Sequence, residues 1–437
     1  MITANIGRIF LDAYNEKFKS NYSAKEFFVD IYYELFFNQN KYMMSAGNSP
    51  LENPKISWNK MRRGQKSYES LQRRNERFNK TVEKIETSPA DASIAIGFPT
   101  LDLTAPTSGQ VTNIELPIET QDIYLSWIGS GFGIGVQGGL SLLFSNKQLL
   151  LDLFEGWQIY RDFLNKLPGL RGNQINTWNG QWLAHRYNKF AYDASNPVAS
   201  FNPFGSMKDG GLEVNTQSWT KVLVGIARNF PEKELMAYVY SFGQMNITVG
   251  FIPFELPRIR RPFDLYEKYF GTNKRERVEQ LFGTALGFTK ACQMGVIGVN
   301  ALEPRGFRDC LTKGVIPKYN ISDEEKTISY NTYQIWLLAM LDNEQLWEKA
   351  QQIATTLNNY SLSDKNARKV KSQEVLNLLE SVNKKQFIKS LTEIIKESPD
   401  PDQLVEIAYL LNSMPVDNVP YFLTLIRFQY AVVNKKS

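Results

Sequence analysis

The chain has 437 residues, of which 43% are hydrophobic and 22% charged, with a net charge of +5, a balance typical of a mildly basic globular protein of two or three domains. One histidine, His185, and two distant cysteines, Cys292 and Cys310, are too few for a zinc site, a histidine-based catalytic centre or a disulfide framework. Without a signal peptide or an apolar run of about 20 residues, the sequence predicts a soluble, cytoplasmic protein with no membrane, metal or cofactor.

Residues 1–37 are predicted to be largely helical. Ser23 to Glu26 match a capping box, in which the serine and glutamate side chains each bind a backbone N–H group at the start of a helix. Apolar residues then recur at helical spacing, which predicts a core helix. A loop rich in Asn, Ser, Gly and Pro follows over residues 39–57.

The segment from Trp58 to Ile85 is predicted to be one basic, amphipathic helix. Its cations fall within a stripe about 60° wide, and its apolar residues lie roughly opposite. Aligned cations repel one another unless an anion lies alongside, so the stripe favours phosphate contact. A solvated face, with Glu69, Glu76 and Glu83 along one edge, is the alternative. The cations are Arg62, Lys66, Arg73, Arg77, Lys80 and Lys84.

Residues 93–144 are predicted to form strands and turns, because they are rich in Thr, Ile, Val and Gly. The run Gly133 to Gly138 matches GxGxxG, but a strand-like apolar run follows it. The pattern therefore favours a glycine-rich hairpin over a dinucleotide site. A helix is expected over residues 147–167, a long irregular segment over 168–215, and strands with short helices to about residue 255.

From about residue 320 six amphipathic helices joined by short loops predict a compact bundle. Ser322 to Glu325 match a capping box, and Asp400 and Pro401 are expected at the N-cap and first position of the fifth helix. Capping explains the Asp400-Pro401-Asp402 run better than a metal site does. The sequence thus predicts an α+β protein, with a mixed α/β body over 1–319 and an α-helical bundle over 320–437 that folds alone.

Amide side chains are concentrated in a glycine-rich segment near residues 167–186. Asn and Gln amides can donate and accept at one base edge, and glycines permit close approach of the backbone. A loop packed by its own tryptophans is the alternative, and the loop from Tyr42 to Pro54, with Asn48 and Asn53, is a rival location. His185 alone is more typical of a structural histidine. The candidate residues are Arg171, Asn173, Gln174, Asn176 and Asn179.

Further basic clusters are candidates for contact with phosphate or with an acidic protein, although an ordinary surface explains each equally well. One is predicted to be a stiff loop, because prolines flank its arginines. Another lies in the helical end of the chain. The candidate residues are Arg258, Arg260 and Arg261, then Lys274 and Arg275, then Lys369, Lys384 and Lys385.

The order of a mixed α/β body, an irregular Asn/Gly-rich loop, scattered basic patches and a C-terminal bundle resembles the large subunit of a type I CRISPR effector complex (Cascade), of the type I-B kind. The resemblance spans the chain in layout and rests on no short motif. It implies a non-catalytic ribonucleoprotein subunit for antiviral defence, whose body recognises the protospacer-adjacent motif and whose bundle resembles the small subunit. The implied partners are guide RNA, target double-stranded DNA, other Cascade subunits, and a recruited nuclease-helicase or transposition factors.

Two other classes of function stay open on the sequence. The chain has 45 Asp and Glu residues, which would allow an enzyme that processes nucleic acid with a carboxylate-bound metal. Any activity of such an enzyme would depend on a divalent metal. A scaffold that binds only proteins would be insensitive to salt and would not co-purify with nucleic acid.

Overall fold

A computed structural model describes the chain except for residues 53–56, 102–109, 112–113, 115–116, 208–210, 232, 242–246, 284–286, 316–318, 399–400 and 437, and the side chains at positions 110, 111, 247 and 436. Asn53 of the rival loop and Asp400 of the expected helix cap lie outside the described residues. The α+β class is confirmed, because the structure combines many helices with a small antiparallel sheet and ends in a helical region.

The described helices are numbered in chain order. A π-helical turn at Phe28–Tyr32 joins the second and third helices, and 3-10 turns lie at Val299–Ala301 and Val416–Asn418. In the part of the chain that the structure describes, none of the helices has both the length and the apolar character needed to cross a bilayer. The bounds are α1 (Ile2–Phe18), α2 (Ala24–Phe27), α3 (Tyr33–Phe36), α4 (Trp58–Arg62), α5 (Leu71–Thr87), α6 (Thr120–Ser130), α7 (Lys147–Lys166), α8 (Ile175–Arg186), α9 (Trp219–Asn229), α10 (Leu256–Phe270), α11 (Arg275–Leu281), α12 (Phe288–Cys292), α13 (Arg308–Thr312), α14 (Glu324–Leu341), α15 (Gln345–Leu362), α16 (Arg368–Leu379), α17 (Lys384–Glu397), α18 (Asp402–Ser413) and α19 (Val419–Lys436).

The largest described sheet has four antiparallel strands in the order β3-β4-β5-β6, with Ile134 opposite Leu142 and Glu234 opposite Glu255. A register shift between Val239 and Tyr240 interrupts its last pair. Two short pairs lie elsewhere: β1 with β2, which are parallel, and β7 with β8, which are antiparallel. The strands are β1 (Pro99–Thr100), β2 (Gln110–Val111), β3 (Ile134–Val136), β4 (Leu140–Phe144), β5 (Glu234–Ser241), β6 (Ile247–Glu255), β7 (Phe282–Gly283) and β8 (Glu303–Pro304).

The chain divides into two compact units. The first comprises Met1–Leu256 and Gly287–Ile297, and the second comprises Pro257–Leu286 and Gly298–Ser437. The predicted bundle over 320–437 lies within the second unit, which also takes in residues 257–286 and 298–319. That the chain is divided at residue 319 stays a prediction.

In the first unit, α1 packs along α6 with the two backbones in contact. A Cβ atom on Gly7 would lie 2.1 Å from the Leu125 carbonyl oxygen, and one on Gly129 would lie 1.9 Å from the Thr3 carbonyl oxygen. Neither position has room for a side chain, so both require glycine. Phe10, one turn further along α1, is fully buried in a cluster of aromatic rings.

Three secondary-structure predictions are wrong. The segment 58–85 is two helices, α4 and α5, separated by residues 63–70. The segment 93–144 contains α6, and residues 168–215 contain α8. Since residues 123–130 of α6 are all buried, that helix has no polar face, and an amphipathic pattern could not identify it.

Other local predictions are confirmed. At Ser23 and Glu26 both hydrogen bonds of the capping box form. The glycine run is the hairpin of β3 and β4, where Gly138 and Gly139 have φ angles of 101° and 77°, which favour glycine. Helix α7 and strands β5 and β6 also lie in the expected segments.

The second unit contains the six predicted helices, α14 to α19. The helix α19 packs against both α14 and α15. The cap of α14 is Asp323, whose carboxylate accepts a hydrogen bond from the Lys326 backbone N–H at 3.1 Å, rather than the expected Ser322. Pro401, which is expected at the first helical position, occupies the N-cap position of α18. This helix therefore begins one residue later than expected.

Residues outside 320–437 complete the core of this unit. The Trp336 indole N–H donates to the Leu302 carbonyl oxygen at 2.5 Å, and the Tyr333 hydroxyl donates to the Arg305 carbonyl oxygen at 2.8 Å. Phe307 is fully buried, and its ring packs at 5.1 Å from that of Trp336. The bundle therefore shares its core with residues 298–313.

We expect a fragment of residues 320–437 to be helical and to melt cooperatively, but at a temperature at least about 5 °C below that of a fragment of residues 257–437. Loss of a buried phenylalanine costs about 3 kcal/mol, and a domain of this size loses several degrees for that free energy. Circular dichroism of the two fragments provides the measurement. Equal melting temperatures would show that residues 298–313 add nothing to the bundle.

Candidate nucleic-acid interface

A cavity of about 220 Å³ in the first unit brings together residues from three separate stretches of sequence. It joins the beginning of the Asn/Gly-rich segment to α4, to Tyr68 beyond α4 and to the residues just after α3. We call it the Arg62–Arg171 pocket. Its lining residues are Lys41, Tyr42, Trp58, Asn59, Arg62, Tyr68, Leu170, Arg171, Gly172 and Asn173.

Backbone hydrogen bonds fix one wall of the pocket. The Asn173 N–H donates to the Tyr42 carbonyl oxygen at 2.9 Å, and the Ile175 N–H donates to the Met43 carbonyl oxygen at 3.1 Å. A Cβ atom on Gly172 would lie 2.5 Å from the same Tyr42 oxygen, so this close approach requires glycine. Asn173 has a φ of 58°, a left-handed conformation that asparagine tolerates better than most residues.

Lys41 is a buried cation in the pocket, with 8% of its surface exposed. Its ammonium group donates to the carbonyl oxygens of Leu164 and Leu167 at 3.0 and 2.6 Å. Burial, together with the charges of Arg62 and Arg161, lowers the pKa of Lys41 to about 8. Two carbonyl partners leave one of the three ammonium donors for a ligand.

The guanidinium groups of Arg62 and Arg171 both lie against Gly211, where a Cβ atom would be 2.6 Å from Arg62 Cζ and from Arg171 Nε. Burial and then the charge of Arg171 lower the pKa of Arg62. Glu213 forms an ion pair with Arg171 and offsets one of the positive charges. The described side chains that line the pocket include three cations and no carboxylate, which favours an anion.

Aromatic rings form the other wall of the pocket. The rings of Tyr42 and Trp58 meet at 68° with their centroids 5.5 Å apart. Arg77 donates to the Tyr42 hydroxyl and forms an ion pair with Glu69, whose side chain is 11% exposed. Arg77 therefore supports the aromatic wall. It does not belong to the exposed cationic face that the sequence predicts.

The predicted stripe of six cations does not exist as one surface, because the helix breaks between Arg62 and Leu71. Lys66 is exposed in the connecting segment. On α5, Arg73 and Lys80 are exposed and form no ion pair with any residue that the structure describes. Lys84 is bound to Asp91 at 3.1 Å. Of the six, Arg62 reaches the pocket.

The predicted amide cluster is also divided, because Asn176 and Asn179 lie on α8, whereas Asn173 and Gln174 precede it. The Gln174 side-chain oxygen accepts from the Val214 N–H at 3.0 Å, and the Asn176 amide donates to the Ser141 hydroxyl at 3.1 Å. Asn179 is fully buried. Gln174, Asn176 and Asn179 therefore hold the fold together, whereas the exposed Asn173 lines the pocket beside Arg171.

We expect Asn179→Ala to lower stability rather than DNA-motif preference. The Asn179 amide donates to the Gly131 and Gly133 carbonyl oxygens at 2.7 and 2.9 Å, and leaving buried acceptors unpaired costs about 2 kcal/mol. A thermal melt should shift by about 6 °C. Gln181→Ala, which removes two less buried hydrogen bonds from the same helix, should shift it less. A folded variant with altered motif preference would contradict this structural role.

The arginines predicted in a stiff loop lie instead on α10, where their acidic partners are in the same unit. Arg260 pairs with Asp264 at 2.9 Å, and Arg261 pairs with Asp342 and Glu344 at 3.4 Å. The remaining members of these clusters are Arg258, 4.0 Å from Asp342, Lys274, bound to Glu324 at 2.6 Å, and Arg275, 3.3 Å from Glu279. These pairs favour a structural role over phosphate contact.

The lysines of the bundle are more accessible. Lys369 on α16 and Lys385 on α17 are exposed and form no ion pair with a described residue. The Lys384 ammonium donates to the Asn412 carbonyl oxygen at 3.1 Å. Lys369 and Lys385 thus remain available for an anionic partner.

The side chains that could serve catalysis or metal binding are buried or dispersed. His185 Nε2 lies 2.9 Å from the Pro197 carbonyl oxygen, and burial lowers the pKa of its ring. Cys292 and Cys310 are both buried thiols. Within the described ranges, no three His, Cys, Asp or Glu side chains are grouped closely enough to hold a metal ion.

Several residues that line the pocket are not indicated by any pattern in the sequence. No local pattern indicates a role for Lys41, and the predicted basic helix includes Trp58 and Tyr68. The signal that could have found them is the rival loop beginning at Tyr42, since Tyr42 and the Asn/Gly-rich segment line the same cavity.

The fold and the pocket define an α+β protein with a cationic cavity walled by aromatic rings. Comparisons with protein-family models, with curated proteins and with solved structures give no match. The function is therefore argued from the chemistry of the pocket.

Proposed function

We propose that the protein binds nucleic acid through the Arg62–Arg171 pocket, as the non-catalytic large subunit of an RNA-guided, DNA-targeting complex of the Cascade type. The observation that carries the proposal is the convergence of Arg62, Arg171 and Lys41 with aromatic rings and two asparagines in one cavity. The partners in this proposal are the guide RNA, the target double-stranded DNA and the other subunits.

The cations of the pocket suit phosphate. A guanidinium group presents a planar fork of N–H donors that matches two phosphate oxygens, and a lysine adds a point charge. Two such forks and a lysine line the pocket together. A phosphate group matches their charge, and counterion release from the nucleic acid adds to the affinity.

The polar and aromatic groups suit a base. Asn59 and Asn173 line the pocket, and asparagine amides pair with the edge of adenine. Trp58 and Tyr68, which are partly exposed, offer surfaces on which a base stacks irrespective of its identity, and the buried Tyr42 packs against Trp58. This combination fits a protein that recognises a short motif, as expected where pairing with a guide RNA supplies the rest of the sequence specificity.

The bundle contributes a second surface to this proposal. Its exposed lysines, Lys369 and Lys385, suit the backbone of a displaced single strand, which proteins bind through basic surfaces.

The proposal is tested by purifying the tagged protein from its native cells and sequencing the RNA that accompanies it. A discrete small RNA of uniform length and a complex that selects duplexes with one short flanking motif from a randomised pool are the expected results. Binding that is insensitive to salt and free of RNA would instead identify a protein scaffold. Cleavage of DNA or RNA that requires a divalent metal and is lost on one carboxylate substitution would identify an enzyme.

A further inference from the structure

We infer that the Arg62–Arg171 pocket accepts one unstacked nucleotide, with its base against the aromatic wall and its phosphate on the two arginines. This inference rests on the proposed binding of nucleic acid and specifies what enters the site. Recognition of a duplex edge alone would leave the pocket empty.

The size and walls of the cavity favour a single nucleotide. Its volume of about 220 Å³ is below the range of about 300–1,000 Å³ that holds drug-sized ligands, so the cavity encloses the base of one nucleotide and not a stack of bases. Tyr42, 3% exposed, and Trp58 meet at 68°, so their rings form a corner. A planar base lies flat on the partly exposed ring of Trp58 or Tyr68, because Tyr42 is too deeply buried to offer its face. Because a paired base is enclosed in its stack, it must leave the helix to reach such a corner.

The donors of the pocket lie where the phosphate of that nucleotide is needed. Arg62 Nε is buried, and no described residue accepts a hydrogen bond from it. Lys41, more than nine-tenths buried, lines the same cavity with a spare donor. A buried donor without a partner is unfavourable, and a phosphate oxygen removes that penalty. The neighbouring Asn173 amide can pair with the base edge.

Two sources supply a nucleotide of this chemistry. One is an unstacked nucleotide of a nucleic acid strand, and the other is a free nucleotide. The first source predicts a preference for DNA in which one nucleotide is already extrahelical, since the cost of unstacking is then absent from binding. The second source predicts binding of adenosine monophosphate without binding of DNA.

The test measures affinity by fluorescence anisotropy for two labelled duplexes, one perfectly paired and one with a single-nucleotide bulge. The expected result is binding of the bulged duplex about tenfold more tightly. In Tyr68→Leu that preference should fall to about one, because the base loses an aromatic surface on which it stacks. Tyr409→Leu, the same change at an exposed position of α18, should keep the full preference. Trp58→Leu serves as a second variant should Tyr68→Leu fail to fold.

Each outcome has one meaning. Loss of the bulge preference in the pocket variant, with competition by adenosine monophosphate, supports the inference. Equal affinity of the wild-type protein for the two duplexes overturns it and leaves the proposed function standing. Absence of binding to any duplex overturns the proposed function. In that case, adenosine monophosphate bound by the wild-type protein and lost in Tyr68→Leu would still support a nucleotide pocket, with a free nucleotide as the source.

Discussion

Replacing Arg62 and Arg171 together with alanine is expected to lower the affinity for duplex DNA by about 100-fold at moderate salt. Each phosphate contact contributes about 0.9 to the slope of log affinity against log salt. The double variant should therefore lose about two units of slope. A salt titration of DNA binding, followed by anisotropy, measures both quantities.

The matched control for this double variant is Arg73→Ala with Lys80→Ala. It removes the same charge from exposed positions on α5, outside the pocket. We expect an affinity loss below about tenfold, because isolated exposed cations contribute weakly. Adding Glu213→Gln to the pocket variant removes the carboxylate that would otherwise lose its partner. Equal losses in the two double variants would show that general positive charge, and not the pocket, binds DNA.

Gly129→Ala is expected to destabilise the first unit by about 3 kcal/mol, since overpacking of this kind costs 1–3 kcal/mol or more. Helix propensity alone predicts the opposite sign, because alanine is better than glycine in a helix interior by about 1 kcal/mol. The contact decides the outcome, since the new Cβ would lie 1.9 Å from the Thr3 carbonyl oxygen and 2.7 Å from the Gly7 nitrogen. Both atoms belong to the backbone of α1 and cannot move aside as a side chain would.

A thermal melt should show this loss as a decrease of about 6–12 °C in the melting temperature of the first unit. Gly169→Ala is the matched control, since its Cβ would meet nothing within 4 Å, and it should be neutral or slightly stabilising. An unchanged or higher melting temperature for Gly129→Ala would mean that α1 and α6 are not in such close contact.

Local signals in the sequence predicted the elements with one apolar face. The helices α14 to α19 and the β3–β4 hairpin were found in this way, because each carries a periodic stripe or a glycine turn. The elements that were missed lack such a contrast. In α8, Trp178, Asn179 and Trp182 are all buried. A polar residue therefore lies between apolar ones on the inward face of the helix, and this face has no continuous apolar stripe.

The break between α4 and α5 did have a local signal. Gly64, with a φ of 72°, lies just after the end of α4, and Ser70 accepts a hydrogen bond from the Arg73 N–H as the cap of α5. A left-handed glycine and a serine cap are ordinary helix-end signals. The periodic spacing of basic residues continues through both helices, so the charge pattern does not indicate the break between them.

The pocket could be predicted only in part. Arg62, Arg171 and Asn173 were identified from residue type, but their proximity depends on the pairing of residues 173–175 with Tyr42 and Met43, far apart in sequence. No local pattern encodes that contact. The same holds for Arg77, whose partner Glu69 lies before the α5 cap rather than on the same helix.

Lys41 gives the pocket a titration within the physiological range. Because its folded pKa of about 8 is below its usual value of 10.5, the folded protein gains stability as the pH rises from about 8 to 10.5, where the unfolded chain alone keeps the proton. A bound phosphate has the reverse effect, since its charge raises the pKa of Lys41 again. Under the proposed function, capture of a phosphate near pH 8 is thus coupled to proton uptake, and the heat of binding is expected to vary with the ionisation enthalpy of the buffer.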